Sequence, residues 1–164
     1  MQTMSDLFLH FLKDMYYAEQ QMLKSLPDMT RAAQNEALSK ALSAQSEAAR
    51  QHVKTLESVF QAVGARPEGV TCEALLGLLK EAEDLLKETG KAGPVQDAGL
   101  IACLQAMQHY SIARYGALLA WATEVGQQQA VTLLRQMLDG AKQTDAALNQ
   151  LATRGVNKSA SATA

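Results

Sequence analysis

The sequence predicts an all-α protein, a bundle of four long helices in which one long crossover joins the second helix to the third. Two observations favour this fold class. Apolar residues recur every three or four positions along most of the 164-residue chain, which is the period of a helix that buries one face. Few alternating runs of β-branched residues occur and no segment carries a hairpin signal, so nothing in the sequence indicates a sheet.

The first long helix is predicted to begin at a cap near Thr3 or Ser5. Its apolar residues keep helical spacing, and they are Phe8, Phe11, Met15, Met22 and Leu26. Pro27 is expected to kink or end this helix, because proline lacks a backbone N–H and its ring clashes with the preceding turn.

The second long helix is predicted to begin near Asn35. Its inward stripe consists of Leu38, Leu42, Ala49, Val53, Leu56 and Phe60. Gln45 falls on the same stripe, at a position where an apolar residue is expected. The segment "GARPEG", residues 64–69, then ends the helix, because its glycines and its proline favour a loop.

A shorter helix is predicted after this break, and "TGKAGP", residues 89–94, ends it. Its inward residues are Leu75, Leu76, Leu79, Ala82 and Leu86. The third long helix is predicted to run from about Val95 to Val125. Gly126 starts a turn into the fourth long helix. The inward residues of that helix are Ala130, Leu134, Met137, Ala141, Leu148 and Leu151.

The lengths of the connections predict the topology. Short turns make the first and second helices antiparallel neighbours, and the third and fourth likewise. The stretch from Gly64 to Pro94 is long enough to return along the bundle, which is the arrangement of ferritin-like proteins. One bundle domain is therefore predicted over residues 1–154. Residues 155–164 end in "NKSASATA", whose small and polar composition favours a disordered tail.

Composition narrows the classes of partner. Fifteen basic and 17 acidic residues give a net charge of -2 without a dense basic patch, which argues against nucleic acid or an anionic membrane as a partner. No apolar run approaches the length of a membrane span, and the N-terminal segment lacks the pattern of a secretory signal. A cytoplasmic protein is therefore expected. Cys72 and Cys103 could pair, but reduced core thiols are the expected state there.

Four stretches of the chain, residues 6–26, 52–60, 108–126 and 133–152, resemble the YciF/YciE family of ferritin-like bacterial stress proteins. The most specific of these is the pattern HYxIAxYG, which begins at His109 and ends at Gly116. The resemblance implies a four-helix bundle that dimerises. It also implies that typical members bind two metal ions between the helices.

A dinuclear iron or manganese centre needs several inward carboxylates to compensate the charge of two dications. The resemblance places one of them at Glu19, which this chain retains. At the other positions for which it implies a carboxylate, the chain has Ala48, Gln108, Ser111 and Ala141. Glu47 lies beside Ala48 but points about 140° away from the inward Leu42 at roughly 100° per residue. The sequence therefore predicts a degenerate dinuclear site, with no cofactor expected.

One iron or manganese ion is the alternative, with Glu19, His52, His109 and Asp145 as its candidate ligands. Each of these residues also has a structural interpretation. Glu19 would be a buried acid that is hydrogen-bonded to Gln45, Gln108 or a tyrosine, and His52 a half-buried core residue. His109 would serve in packing or hydrogen bonding, while Asp145 would face either the former site or solvent.

No catalytic residue is predicted, because the chain lacks a phosphate-binding glycine loop and a nucleophile signature. Three functions stay open at this point. The first is a non-catalytic stress-associated protein, expected as a homodimer, that acts as an oligomeric or partner-binding module. The second is a mononuclear metal protein with redox or peroxide-related activity. The third is a binder of a small apolar ligand in the space left by the lost carboxylates.

Overall fold

The computed structural model of the chain describes residues 1–162, and most of them are helical. The helices are α1 (Met4–Ala32), α2 (Glu36–Ala62), α3 (Glu73–Thr89), α4 (Pro94–Glu124), α5 (Gln128–Leu151) and α6 (Asn157–Ser161). A π-helical turn, Ala152–Val156, joins α5 to α6. Within residues 1–162, none of the helices combines the length and the apolar character needed to cross a bilayer.

The four long helices form a bundle. Helix α1 packs on α2 and α4 on α5, while α2 also contacts α5 and α1 contacts α4. Helix α3 lies outside the bundle, against α4 and α1, and so forms part of the crossover between α2 and α4. The fold class predicted from the sequence is therefore confirmed. A single core of apolar side chains runs between the helices.

The helix starts follow the predicted caps. The Thr3 hydroxyl accepts from the backbone N–H of Asp6, and the Asp6 carboxylate accepts in return from the N–H of Thr3, which makes a capping box. At the start of α2 the Asn35 side chain accepts from the N–H of Leu38 at 3.0 Å. Each cap satisfies a backbone N–H of the first turn and so stabilises the start of its helix.

Pro27 does not end the first helix, because α1 continues through Ala32. Met29 lies beyond the proline and is 3 % exposed, so the last turn buries a large apolar side chain. Burial of such a side chain contributes roughly 1.5–3 kcal/mol, which is comparable to the cost of about 3 kcal/mol for an interior proline. Packing of the residues beyond Pro27 therefore offsets the cost of the proline, and this packing is not visible in the local sequence.

The C-terminal region differs from the predicted disordered tail. From residue 155 the described chain continues as helix through Ser161, and residues 163–164 lie outside the described part. Val156 is 2 % exposed, and α6 packs against α4. This segment packs near the start of α4, and burial of Val156 stabilises it although its composition is otherwise small and polar.

Two buried polar side chains at the start of α4 tie three chain segments together. The Asp97 carboxylate accepts from the backbone N–H groups of Gln34 and Asn35 at 2.9 and 2.8 Å. The neighbouring Gln96 donates to the carbonyl of Ala32 and accepts from the Thr89 hydroxyl, both at 2.8 Å. These contacts hold the α1–α2 turn and the α3–α4 connection at the same end of the bundle.

Asp97→Asn is expected to lower the free energy of unfolding by about 1–3 kcal/mol, because an amide offers one acceptor oxygen to two buried N–H groups. Urea denaturation followed by circular dichroism measures this loss. Asp139→Asn, at an exposed position of α5, is the matched control and should change little. An Asp97→Asn variant as stable as the parent would show that the two hydrogen bonds do not hold the turn.

Candidate functional site

A small cavity lies between α1, α2, α4 and α5 in the middle of the bundle, and we call it the central cavity. Its polar lining consists of Glu19, Gln45, His52, Gln108, Ser111 and Thr144, and apolar residues that include Ala48 and Ala141 complete it. The cavity volume is about 10 Å³, measured for the centre of a water-sized sphere. This is roughly the room that one water molecule needs.

Helical periodicity explains why polar residues face this cavity. Glu19 lies four residues after Met15 and three before Met22, and all three side chains are buried on one face of α1. Gln45 and Gln108 are 8 % and 6 % exposed, as their positions on inward stripes predicted. Ala141 is buried as well, so the positions predicted to surround a former metal site do converge.

Glu19 is the central charged group of the site and is 1 % exposed. Its Oε1 accepts a hydrogen bond from the Tyr115 hydroxyl and lies 3.3 Å from Nδ1 of His52. Its Oε2 is buried and has no hydrogen-bond partner within residues 1–162. The sequence interpretation of Glu19 as a buried, hydrogen-bonded acid is thus confirmed, with a tyrosine as the partner.

The charge of Glu19 changes the titration of both its partners. Burial opposes the charged form of His52, but the hydrogen bond and the charge of Glu19 outweigh it and raise the pKa of His52 above its ordinary value. Burial, the charge of Glu19 and the hydrogen bond to it all raise the pKa of Tyr115 well above its ordinary value. Tyr115 therefore stays protonated at neutral pH and acts as a donor.

Ser111 brings a second unpaired oxygen to the cavity. The residue is 2 % exposed, and its hydroxyl has no partner in the described part of the chain. A serine inside a helix commonly donates to the carbonyl four residues earlier, as Ser43 and Ser46 do in α2. The Ser111 hydroxyl makes no such bond, and the residue lines the central cavity.

His109 and Asp145 do not join Glu19 and His52. The His109 side chain is 67 % exposed, and its Nε2 lies 3.3 Å from Oδ1 of Asp145. The same Oδ1 accepts from the Gln105 side chain at 3.1 Å. These residues form a separate polar cluster between α4 and α5, outside the lining of the central cavity. The structure therefore divides the predicted set of four metal ligands into two pairs.

The comparisons with known proteins identify the family. A family model described as "Domain of unknown function (DUF892)" matches residues 3–161. Protein YciF of Escherichia coli (strain K12) is 37 % identical over 161 residues, which cover 98 % of this chain and 96 % of that protein. The chain belongs to the YciF family.

Two solved structures extend this result to the fold. The crystal structure of the E. coli stress protein YciF matches with a TM-score of 0.91 at 37 % identity, over 96 % of this chain and 99 % of that one. The protein YcfI of Rhodopseudomonas palustris matches with a TM-score of 0.87 at 44 % identity, over 90 % and 94 % of the two chains. The resemblance seen in the sequence is confirmed.

The residues of the central cavity do not fit the dinuclear metal centre that the resemblance to the YciF family implies. Among residues 1–162, Glu19 is the single carboxylate that lines the cavity. The outward Glu47 is exposed, as predicted, and pairs with Arg50 at 2.7 Å. Within residues 1–162, no three His, Cys, Asp or Glu side chains are grouped so that they could hold a metal ion. One negative charge and neutral amides do not compensate two buried dications.

The size of the central cavity also tests the hypothesis that the protein binds a small apolar ligand. An apolar ligand such as benzene needs a dry cavity of about 150 Å³. The central cavity is far smaller, and its lining includes a carboxylate and two amides. The hypothesis of an apolar ligand in the former metal site therefore does not fit this structure.

A partly buried polar cluster was not predicted from the sequence. The Tyr110 hydroxyl donates to Oδ2 of Asp14 at 2.6 Å and lies 2.8 Å from Sγ of Cys72, which caps the start of α3. The cluster thus fastens α3 to α1 and α4. Both Cys72 and Cys103 are free and buried, and burial raises the pKa of each thiol. Their expected state as reduced core thiols agrees with this arrangement.

Proposed function

We propose that this member of the YciF family is a non-catalytic, stress-associated protein whose dinuclear metal site has degenerated, and that it acts as an oligomeric or partner-binding module. The name of the E. coli relative as a stress protein supports the stress-associated role. A single observation carries the proposal: the positions of a former site converge on one cavity, and one carboxylate is left there.

The side chains around the cavity support a bundle that folds without metal. Clustered carboxylates would repel one another and lose hydration in the core, so an empty dinuclear site destabilises its protein. Here Ala48 and Ala141 add no charge, and Gln108 is neutral. The carboxylate that stays, Glu19, is partnered by Tyr115 and His52. Such a core has no excess of negative charge that a pair of metal ions would neutralise.

We expect recombinant protein, purified without metal-affinity chromatography and dialysed against a mild chelator, to retain well under one iron or manganese ion per chain. Chelation should leave its thermal midpoint unchanged, since metal binding does not contribute to folding. Mass spectrometry of the metal content and a thermal melt measure both effects. Two ions retained per chain would contradict the degenerate site.

A mononuclear metal site is the second candidate, because the structure brings Glu19 and His52 within 3.3 Å of each other. These two side chains could be ligands of one iron or manganese ion. About one ion per chain in the dialysed protein, and its loss in Glu19→Ala, would favour this function over the first.

The proposed module is a homodimer. Helix α4 is apolar around most of its circumference, and its exposed positions include Ala102, Ala113 and Ala120. Phe11 and Trp121 stack edge to face at 5.3 Å where α1 meets α4, and both are half-buried in the single chain. Association of two chains would cover apolar surface of this kind.

Sedimentation velocity at micromolar concentration is therefore expected to show a dimer as the main species. Ala113→Glu, a charge at an exposed position of α4, should shift the distribution toward monomer if this helix lies in the interface. Ala146→Glu, at an exposed position of α5, is the matched control. A monomer at all concentrations would count against self-association.

A further inference from the structure

Two buried oxygen atoms without partners belong to residues that line the central cavity. They are Oε2 of Glu19, on α1, and Oγ of Ser111, on α4, and each lacks a hydrogen-bond partner within residues 1–162. Their residues are 1 % and 2 % exposed. A buried polar atom without a partner destabilises the folded state, and a charged one does so more strongly, so two of them at one cavity indicate a further ligand.

The remaining lining adds neutral oxygen ligands. Gln45 and Gln108 contribute amide groups, and Thr144 contributes a hydroxyl whose proton is donated to the Gly140 carbonyl at 3.1 Å. That donation leaves the lone pairs of the Thr144 oxygen available. Carboxylate, amide and hydroxyl oxygens are hard ligands, which suit hard cations rather than soft metals. The cavity has room for one body the size of a water molecule.

We propose that the central cavity binds one monovalent cation of the class of Na⁺, K⁺ and NH₄⁺, held by Oε2 of Glu19 with the neutral oxygens around it. When His52 is neutral, the single carboxylate of Glu19 balances one positive charge, and it would leave a dication uncompensated. Tyr115 and His52 both contact Oε1, so the other oxygen is open to a ligand. The inference rests on the proposed loss of the dinuclear site.

The test compares thermal midpoints of chelated protein in chlorides of sodium, potassium, ammonium and choline at equal ionic strength. Choline is too large for the cavity. At least one small cation should raise the midpoint by about 2 °C or more relative to choline, and the gain should grow with its concentration. Glu19→Gln and Ser111→Ala should lose most of this difference. Ser43→Ala, an exposed serine of α2, should keep it.

X-ray diffraction provides a second measurement, which does not depend on the stability of the variants. Crystals of the parent protein soaked in a thallium(I) or rubidium salt should show an anomalous peak in the central cavity. Equal midpoints in all four salts together with no anomalous peak would overturn the inference and leave a single water as the occupant. Iron or manganese retained after chelation would instead contradict the proposed function, so the two failures are distinguishable.

Discussion

Introducing three carboxylates at the positions proposed for a former metal site, by Ala48→Glu, Gln108→Glu and Ala141→Glu, is expected to destabilise the metal-free protein by several kcal/mol. The three new side chains would join Glu19 at one small cavity in the bundle interior. Like charges repel strongly there, and each loses hydration. Urea denaturation of chelated protein at neutral pH measures the loss.

Fe(II) or Mn(II) should then restore the stability of this triple variant, with a gain that grows with metal concentration, because the ions bind the folded state. The parent should gain little under the same conditions. A triple variant that is as stable as the parent without metal, and that does not respond to its addition, would show that these positions do not act as one site.

Two control variants separate charge from the other effects of this change. Ala48→Gln with Ala141→Gln adds nearly the same volume to the cavity without charge, and overpacking of this kind costs about 1–3 kcal/mol. Ala44→Glu, Thr123→Glu and Ala146→Glu place three carboxylates on exposed faces of the same helices. Neither control should recover stability when metal is added.

Tyr115→Phe is the second change with a large expected effect, a loss of about 2–3 kcal/mol in the free energy of unfolding. The Tyr115 hydroxyl is fully buried and donates to the carboxylate of Glu19, and hydrogen bonds to a charged group are among the stronger ones. Its removal leaves the carboxylate with His52 as its remaining partner. Urea denaturation measures the effect.

A double-mutant cycle tests whether this loss comes from the contact itself. In the Glu19→Gln background, Tyr115→Phe should cost markedly less than in the parent, because the charge that the hydroxyl stabilises is gone. Tyr16→Phe is the matched control, since its hydroxyl donates to the exposed Glu57 at 2.9 Å and should contribute little. Equal effects of Tyr115→Phe in both backgrounds would mean that the tyrosine acts through packing alone.

The sequence by itself determined the fold class and the inward face of three long helices. A 3.6-residue period assigns each position to the buried or the exposed side, so the burial of Glu19, Gln45 and Ala141 followed from the positions of their apolar neighbours. The outward direction of Glu47 followed from the same geometry. The family followed from local patterns, above all the HYxIAxYG pattern that begins at His109.

Helix α4 shows where this information ends. Its apolar residues surround most of the helix, so the period does not distinguish the inward side as it does in α1 or α2. Gln108 and Ser111 lie at the cavity, while His109 between them is exposed and contacts Asp145. The sequence did not specify which side of α4 faces the cavity. The prediction that grouped His109 and Asp145 with Glu19 therefore placed His109 on the wrong side of α4.

Only the tertiary structure decided which atoms meet across the bundle. Tyr115 and Glu19 are 96 residues apart in the sequence. Their contact depends on the axial position of α4 relative to α1, which no local pattern encodes. The same reason hid the contact between Asp97 and the turn before α2, 62 residues away. Periodicity fixes the face of each helix, but the axial position of one helix against another is set by the packing of all of them together.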